Sequence, residues 1–220
     1  MSTAAWIILL VLLIPIIGIL IWVIVLASVV RVPSGCLGLL MVKGQATDTT
    51  LAPGRHFLFA LRRRMVEEYP SVELAYRAGV QAGSESDATG QQSRRTSQLE
   101  QSGPDLTVTL GDRTTATVSF TVRFVLMSQQ LRIVHERFGP DGVFGIVRDE
   151  AQRAVRNMLC DPGFGVENLF GAAREASQTE LAEAVGAALE ADGIRFTAFT
   201  LGTVDLGRTG EVIGATVRAR

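Results

Sequence analysis

The sequence has 220 residues, of which 47% are hydrophobic and 20% are charged, and its formal net charge is −1. This length is enough for one ordinary domain with its own core and one further segment. A charge so close to zero gives no reason to expect a nucleic-acid partner, because nucleic-acid-binding surfaces carry a large positive excess. Two cysteines 124 positions apart exclude a disulfide framework and a clustered zinc or iron–sulfur site.

The first 30 residues contain no charged side chain. The apolar run from Ala5 to Val30 is 26 residues long. As a helix it would reach about 39 Å, more than the thickness of the hydrocarbon core of a bilayer. Trp6 suits a membrane interface, whereas Trp22 lies deeper in the run. We therefore predict a single transmembrane anchor over residues 1–31.

Three alternatives to a spanning helix remain open. A cleaved signal peptide ordinarily has a basic start and a shorter apolar stretch than this one. A lipoprotein signal ending at Cys36 would be interrupted by Arg31 and Pro33. A re-entrant hairpin bent at Pro15 or Gly18 would have arms of about 13 residues each, which are long enough to enter only one leaflet.

Basic residues follow the apolar run, and none precedes it. Arg31 is the first of them, and Arg62-Arg63-Arg64 is the densest group. The positive-inside rule then places the N-terminus outside the cell membrane and the C-terminal domain in the cytoplasm. In that reducing compartment we expect Cys36 and Cys160 to be unpaired thiols that pack rather than react.

Short strands and turns are predicted after the anchor. Residues 36–42 are apolar, Pro53 and Gly54 mark a turn, and residues 56–61 and 72–76 have the character of strands. Residues 78–104 are rich in Gly, Ser and Gln and poor in large aliphatic side chains. Such a composition buries too little apolar surface to offset the entropy of ordering, so we predict a polar, flexible insertion there.

The second half of the sequence predicts a long strand followed by helices. Residues 113–126 alternate strictly, with one apolar face made of Ala116, Val118, Phe120, Val122, Phe124 and Leu126. A strand over residues 106–110 precedes it, joined by a tight turn at Gly111 and Asp112. Helical spacing predicts helices over 131–138, 144–159 and 166–191, and a closing strand over 194–206. We predict an α+β domain over residues 32–207 and a short tail over 208–220.

No catalytic or metal-binding constellation stands out. His56 and His135 lie in different predicted elements, without a partner at metal-ligand spacing. Asp149 and Glu150 are adjacent, so on a helix they point to different faces and do not form a paired-carboxylate site. We predict neither an enzyme nor a cofactor. An enzymatic hypothesis would need an activity that is lost on changing His56, Asp149 or Cys160.

The order of these motifs resembles the SPFH, or band 7, superfamily, which includes stomatin, prohibitin, flotillin and HflK/C. Residues 32–40 are similar to the family's Val-Pro-x-Gly opening, and residues 51–57 to its Leu-x-Pro-Gly-x-His-Phe turn. Residues 110–124 resemble its hairpin into the central strand, and residues 147–156 its Arg-containing helix. The resemblance covers residues 30–207, and the matching positions are Pro33, Gly35, Gly38, Pro53, Gly54, His56, Phe57, Gly111, Asp112, Arg148, Arg156 and Gly193.

The resemblance implies an α+β domain on one membrane anchor that oligomerises into rings or cages and scaffolds membrane microdomains without catalysis. The implied partners are the lipid bilayer, further copies of the chain, and integral membrane proteins such as a membrane protease or a respiratory complex. Two departures are expected to weaken large self-assembly. The family's long coiled coil does not occur before Arg220, and the 78–104 insertion is long and polar.

The alternative function is an accessory subunit, bound stoichiometrically to one respiratory, transport or protease complex in the membrane. Both hypotheses share the division between anchor and domain. We therefore expect deletion of residues 2–30 to release a folded, soluble domain.

Overall fold

The computed structural model describes residues 13, 15–19, 22–23, 25, 28–58, 64–79, 99–139 and 141–207. It separates into two compact units, residues 1–69 (unit 1) and residues 70–220 (unit 2). Sheets whose strands are mostly antiparallel, together with helices, make up the chain. The predicted α+β class is confirmed.

The charge-free run is described only in part. Pro15, Trp22 and their described neighbours up to Val25 have helical backbone and exposed side chains, whereas Ala5 and Trp6 lie outside the described residues. Among the residues that the structure describes, no helix is long and apolar enough to cross a membrane.

The helix predicted for this run is wrong at its last residues. Val29–Val32 form strand β1, which pairs antiparallel with β4 (Gly54–Phe57) and places Val30 opposite His56. Val29 and Val30 are β-branched, a side-chain type that fits a pleated strand better than a helix. Backbone pairing with β4 therefore decides the conformation at the end of the apolar run.

Unit 1 also contains a three-stranded sheet with the order β3–β2–β5. Strands β2 (Cys36–Val42) and β3 (Gln45–Leu51) form a hairpin, and β5 (Arg64–Pro70) completes the sheet. The turn residues Lys43 and Gly44 both have positive φ, 55° and 82°, as a two-residue hairpin of the primed type requires. The buried core of unit 1 is formed by Val32, Leu40, Leu51 and Leu58.

Unit 2 is built on a five-stranded sheet. Its strands are β6 (Leu74–Ala78), β7 (Glu100–Gly103), β8 (Leu106–Thr109), β9 (Thr115–Leu126) and β10 (Ile194–Asp205). The order is β10–β9–β6–β7, and β8 also pairs with β9. All six side chains on the predicted apolar face of β9 are buried, so the alternation seen in the sequence is confirmed.

In the described part of unit 2, four helices lie between β9 and β10: α1 (Leu131–Phe138), α2 (Val143–Leu159), α3 (Val166–Leu169) and α4 (Ala173–Ala191). Helix α4 packs against both β10 and α2, and its predicted apolar residues Leu181, Val185 and Leu189 are buried. The continuous helix predicted over 166–191 is wrong, because residues 170–172 separate α3 from α4 and Gly171 has a φ of 67°.

The insertion predicted over 78–104 is wrong at its ends. Ala78 closes β6, and Glu100–Gly103 form β7, which pairs parallel with β6. An ion pair of 3.1 Å between Arg77 and Glu100 joins the two strands. This pairing is made by backbone groups and charged side chains, so apolar composition does not reveal it. Residues 80–98 of the insertion lie outside the described residues.

Candidate functional site

The motif residues of unit 1 meet on a two-stranded ribbon formed by β1 and β4, hereafter the β1–β4 ribbon. Its register places Val29 opposite Phe57, Val30 opposite His56, Arg31 opposite Arg55, and Val32 opposite Gly54. Side chains alternate between the faces of a strand, so the two faces of the ribbon differ. The inner face carries Val32, which is buried in the core of unit 1, and Val30, which packs against that core. The outer face carries four exposed side chains: Val29, Arg31, Arg55 and Phe57.

Two turns hold the ribbon in place. The Cys36 N–H donates to the Pro33 carbonyl at 3.2 Å, and Gly35 has a φ of 87°, the geometry of a type II turn after β1. In the turn that precedes β4, the Ala52 carbonyl accepts a hydrogen bond of 2.6 Å from the ring Nε2 of His56, a residue of β4. His56 therefore stabilises the turn that contains Pro53 and Gly54, where Gly54 has a φ of 143°.

Gly38 allows β2 to pack closely within unit 1. A Cβ at this position would lie 2.7 Å from Val66 Cγ1 and 3.0 Å from Val32 Cγ2. Both distances are shorter than ordinary carbon–carbon contacts. The glycine predicted from the motif therefore lets β2 approach Val66 and Val32 without displacing their side chains.

Cys36 is half-buried and forms no disulfide. Burial raises the pKa of its thiol above the ordinary range, and the negative charge of Glu68 adds to the increase. The thiolate is the nucleophilic form of cysteine, so this environment does not favour reactivity.

In unit 2, the motif residues Gly111 and Asp112 form the tip of the β8–β9 hairpin. The Gly111 N–H donates to the carbonyls of Leu159 at 3.2 Å and Phe164 at 3.0 Å, which belong to the end of α2 and the connection that follows it. A methyl group on Gly111 would overlap the Asp161 carbonyl. The predicted tight turn is confirmed, and it serves to dock the hairpin on the α2–α3 connection.

Asp112 completes this contact with both carboxylate oxygens. Oδ1 accepts from the Thr114 N–H at 2.8 Å, and Oδ2 accepts from the Val166 N–H at 2.9 Å, at the start of α3. Burial alone would raise the pKa of Asp112, but the hydrogen bonds from Val166 and Thr114 outweigh it and hold the pKa below the ordinary range. The charged form of the side chain therefore stabilises the contact.

The ribbon and the hairpin tip both lie inside one matched region. The sequence model of the SPFH domain / Band 7 family matches residues 30–219. The chain belongs to this family. A comparison with curated proteins found no match. The predicted resemblance is thereby confirmed, and the SPFH match begins at Val30, within β1.

The remaining motif residues of unit 2 lie on α2 and after α4. Arg148 Nε donates to Asp149 Oδ1 at 2.8 Å, and this bond together with the charge of Asp149 raises the pKa of Arg148. Arg156 is exposed on α2 and has no ion-pair partner among the described residues. Gly193 has a φ of 80° directly after α4, beside the 2.6 Å ion pair between Arg137 and Asp192.

The described part of the SPFH domain contains no group of three or more His, Cys, Asp or Glu side chains that could hold a metal ion. Asp149 and Glu150 each pair with an arginine, Arg148 and Arg153. Proteins of this family are generally non-enzymatic scaffolds that associate with membranes and with other proteins.

One feature of the ribbon was not predicted from the sequence. The outer face of the ribbon combines Arg31 with Arg55, and only the strand register brings them together. Side-chain character alternates along Val-Arg-Val in β1 and along Gly-Arg-His-Phe in β4. This alternation is the sequence signal that could have predicted each strand. The packing predicted for Cys160 is wrong, because its side chain is exposed and its Sγ donates to the Thr109 carbonyl at 3.2 Å.

Proposed function

We propose that this chain is a non-enzymatic, membrane-anchored SPFH scaffold that organises or regulates neighbouring integral membrane proteins. One observation carries the proposal: the SPFH match starts at residue 30, where the charge-free run of residues 1–30 ends. A domain joined so closely to an apolar segment is held against the bilayer surface when that segment is inserted. The SPFH family is consistent with such a role.

The anchor is proposed to cross the cell membrane once, with the domain in the cytoplasm. Between Arg31 and Arg64 the sequence contains six basic residues and one acidic residue, whereas residues 2–30 contain neither kind. This asymmetry in Lys and Arg supports a cytoplasmic location for everything after the anchor.

The helices of unit 2 provide surfaces for partners. Helix α4 exposes Glu180, Glu183 and Glu190, and no ion pair neutralises them among the described residues. Helix α2 exposes the unpaired cation Arg156. The unpaired glutamates of α4 and the unpaired arginine of α2 support polar contacts with a membrane protein or with a second copy of the chain.

The test is the native mass of the full-length protein, extracted from membranes in a mild detergent, with all co-eluting proteins identified. We expect a mass many times 23.7 kDa, made of this chain alone or of this chain with a close homologue. A small fixed copy number on one other complex would support the accessory-subunit alternative instead. If the protein is found in the membrane-free fraction of the cell lysate before any detergent is added, both hypotheses are contradicted.

A further inference from the structure

The outer face of the β1–β4 ribbon places two arginines directly opposite each other. Arg31 and Arg55 are register partners, and both side chains are exposed. Neither guanidinium has a carboxylate or hydrogen-bond partner among the described residues. The fold therefore holds two unpaired positive charges side by side on a two-stranded ribbon.

Such a pair is unfavourable on its own, because like charges directly opposite on neighbouring strands repel each other. Residues in this relation have Cβ atoms about 5 Å apart, so both guanidinium groups can reach the same anion. A guanidinium binds phosphate oxygens in a bidentate manner, which a carboxamide or a hydroxyl cannot match. A phosphate on this face would convert the repulsion into attraction.

An apolar pair lies next to the arginines on the same face. Val29 is 47% exposed and Phe57 is 56% exposed, and they are also register partners. The inner face already packs on the core of unit 1, so the pleat forces these two side chains outward. Exposed apolar side chains beside basic ones are typical of segments that bind at the bilayer interface.

The position of the ribbon in the chain indicates which phosphate is within reach. Val29 and Val30 are the last residues of the charge-free run, and Arg31 is the next residue. Ser28 already belongs to the fold of unit 1, so the inserted part of the run ends by residue 27. Consecutive Cα atoms are about 3.8 Å apart, so Arg31 stays within reach of the lipid headgroups. A free phosphate would give no reason for the neighbouring apolar pair to be exposed.

We propose that the outer face of the β1–β4 ribbon, formed by Val29, Arg31, Arg55 and Phe57, binds the phosphate groups of anionic phospholipids at the bilayer surface. The arginines contact the phosphates, and Val29 and Phe57 enter the interface beside them. This inference rests on the membrane anchor of the proposed function.

Hydrogen–deuterium exchange of the full-length protein in lipid nanodiscs tests the proposal. One set of discs contains phosphatidylcholine alone, and the other contains equimolar phosphatidylcholine and phosphatidylglycerol. We expect the amides of residues 28–34 and 53–58 to exchange more slowly in the anionic discs, by about fivefold for each arginine that meets the charged surface. A third sample, phosphatidylcholine discs with added glycerol phosphate, provides the soluble anion.

Matched variants separate this effect from net charge. R31Q/R55Q removes two positive charges from the ribbon and is expected to abolish the protection. K43N/R195Q removes two exposed positive charges elsewhere and is expected to keep it; asparagine suits the positive φ of Lys43. R31K/R55K keeps the charge but loses the bidentate geometry of the guanidinium, so it is expected to keep only part of the protection. Unchanged exchange of the β2 amides in unit 1 and of the β9 amides in unit 2 shows that each variant is folded.

Three other outcomes would overturn the proposal, and each identifies a different part of it as wrong. Equal exchange in the two kinds of disc contradicts lipid recognition but leaves the anchor intact, because the protein has entered both. Equal protection by glycerol phosphate contradicts a bilayer surface and identifies a site for a soluble anion. Failure of the protein to enter either disc contradicts the membrane anchor itself, and with it this inference.

Discussion

Asp112 fixes the hairpin tip of unit 2 through its charged form. The partial burial of this mostly exposed side chain opposes ionisation, yet the hydrogen bonds from Val166 and Thr114 leave the pKa of Asp112 lowered. The folded chain then binds the proton less tightly than the unfolded chain does. The stability that Asp112 contributes is therefore fully present above the ordinary aspartate pKa, and it is lost as the pH falls through the lowered value.

The substitution Asp112→Asn tests this contribution. The amide loses the charge and one of the two acceptor oxygens, so the Val166 or Thr114 N–H loses its partner. We expect the free energy of unfolding to fall by about 1 kcal/mol at neutral pH, a modest value because the side chain is largely exposed to solvent. Urea unfolding in detergent at neutral and strongly acidic pH measures it. A difference of equal size at both pH values would show that the charge has no role.

Gly111 contributes to the same contact through the absence of a side chain. In Gly111→Ala the new methyl group overlaps the backbone carbonyl of Asp161, which cannot rotate away as a side chain can. We expect the free energy of unfolding to fall by about 2–3 kcal/mol. The matched control is Gly145→Ala in α2, since the added methyl meets no described atom within 4 Å beyond its chain neighbours and the backbone of its own helix. It should gain about 0.5–1 kcal/mol from helix propensity. Equal losses in both variants would refute close packing at the hairpin tip.

At the scale of elements, the β1–β4 ribbon contains a repulsive cross-strand pair that one substitution can reverse. Arg55→Glu places a carboxylate directly opposite Arg31, so attraction replaces repulsion. We expect the free energy of opening the ribbon to rise by about 0.5 kcal/mol in an uncharged detergent. Slower hydrogen exchange of the amides in β1 and β4 would report the change. Arg195→Glu is the control, because Arg195 is exposed and lies opposite Val125. Faster exchange in Arg55→Glu would mean that Arg31 and Arg55 do not interact.

The elements that the sequence predicted are those with a local signal. Strand β9 alternates over twelve residues, and α2 and α4 repeat their apolar side chains at helical spacing. Four strands were missed, namely β1, β3, β5 and β7. Of these, β1 lies inside a longer apolar run, and β7 has the polar sequence Glu-Gln-Ser-Gly. Both form because another strand supplies backbone partners, and that information is not local.

The candidate sites also contain features that a local sequence signal predicts and features that only distant contacts create. Gly111 and Asp112 are predicted as a turn because both residue types favour one. The bond from Val166 to Asp112 joins positions 54 residues apart, and nothing near either residue indicates it. The pairing of Arg31 with Arg55 likewise depends on the register of two strands whose alignment neither segment determines alone.

At the scale of the whole molecule, β1 determines where the proposed anchor can be separated from the SPFH domain. A cut after Val30 would remove half of β1. Ser28 is fully buried, and its carbonyl accepts from the Leu58 N–H at 2.6 Å. Residues from Ser28 onward therefore belong to the fold of unit 1, and the truncation that respects the fold is a deletion of residues 2–27.

Two deletions of similar length test this boundary. The chain without residues 2–27 keeps β1, and we expect it to be soluble, folded and resistant to limited proteolysis over unit 1. The chain without residues 2–32 loses the partner of β4 and the buried Val32, so the core formed with Leu40, Leu51 and Leu58 is exposed. Removing one buried valine and a strand of backbone hydrogen bonds exceeds the few kcal/mol by which such a small unit is stable. We expect rapid cleavage within residues 33–69. If both chains resist protease equally, β1 contributes nothing to the stability of unit 1, and the anchor ends where the charge-free run does.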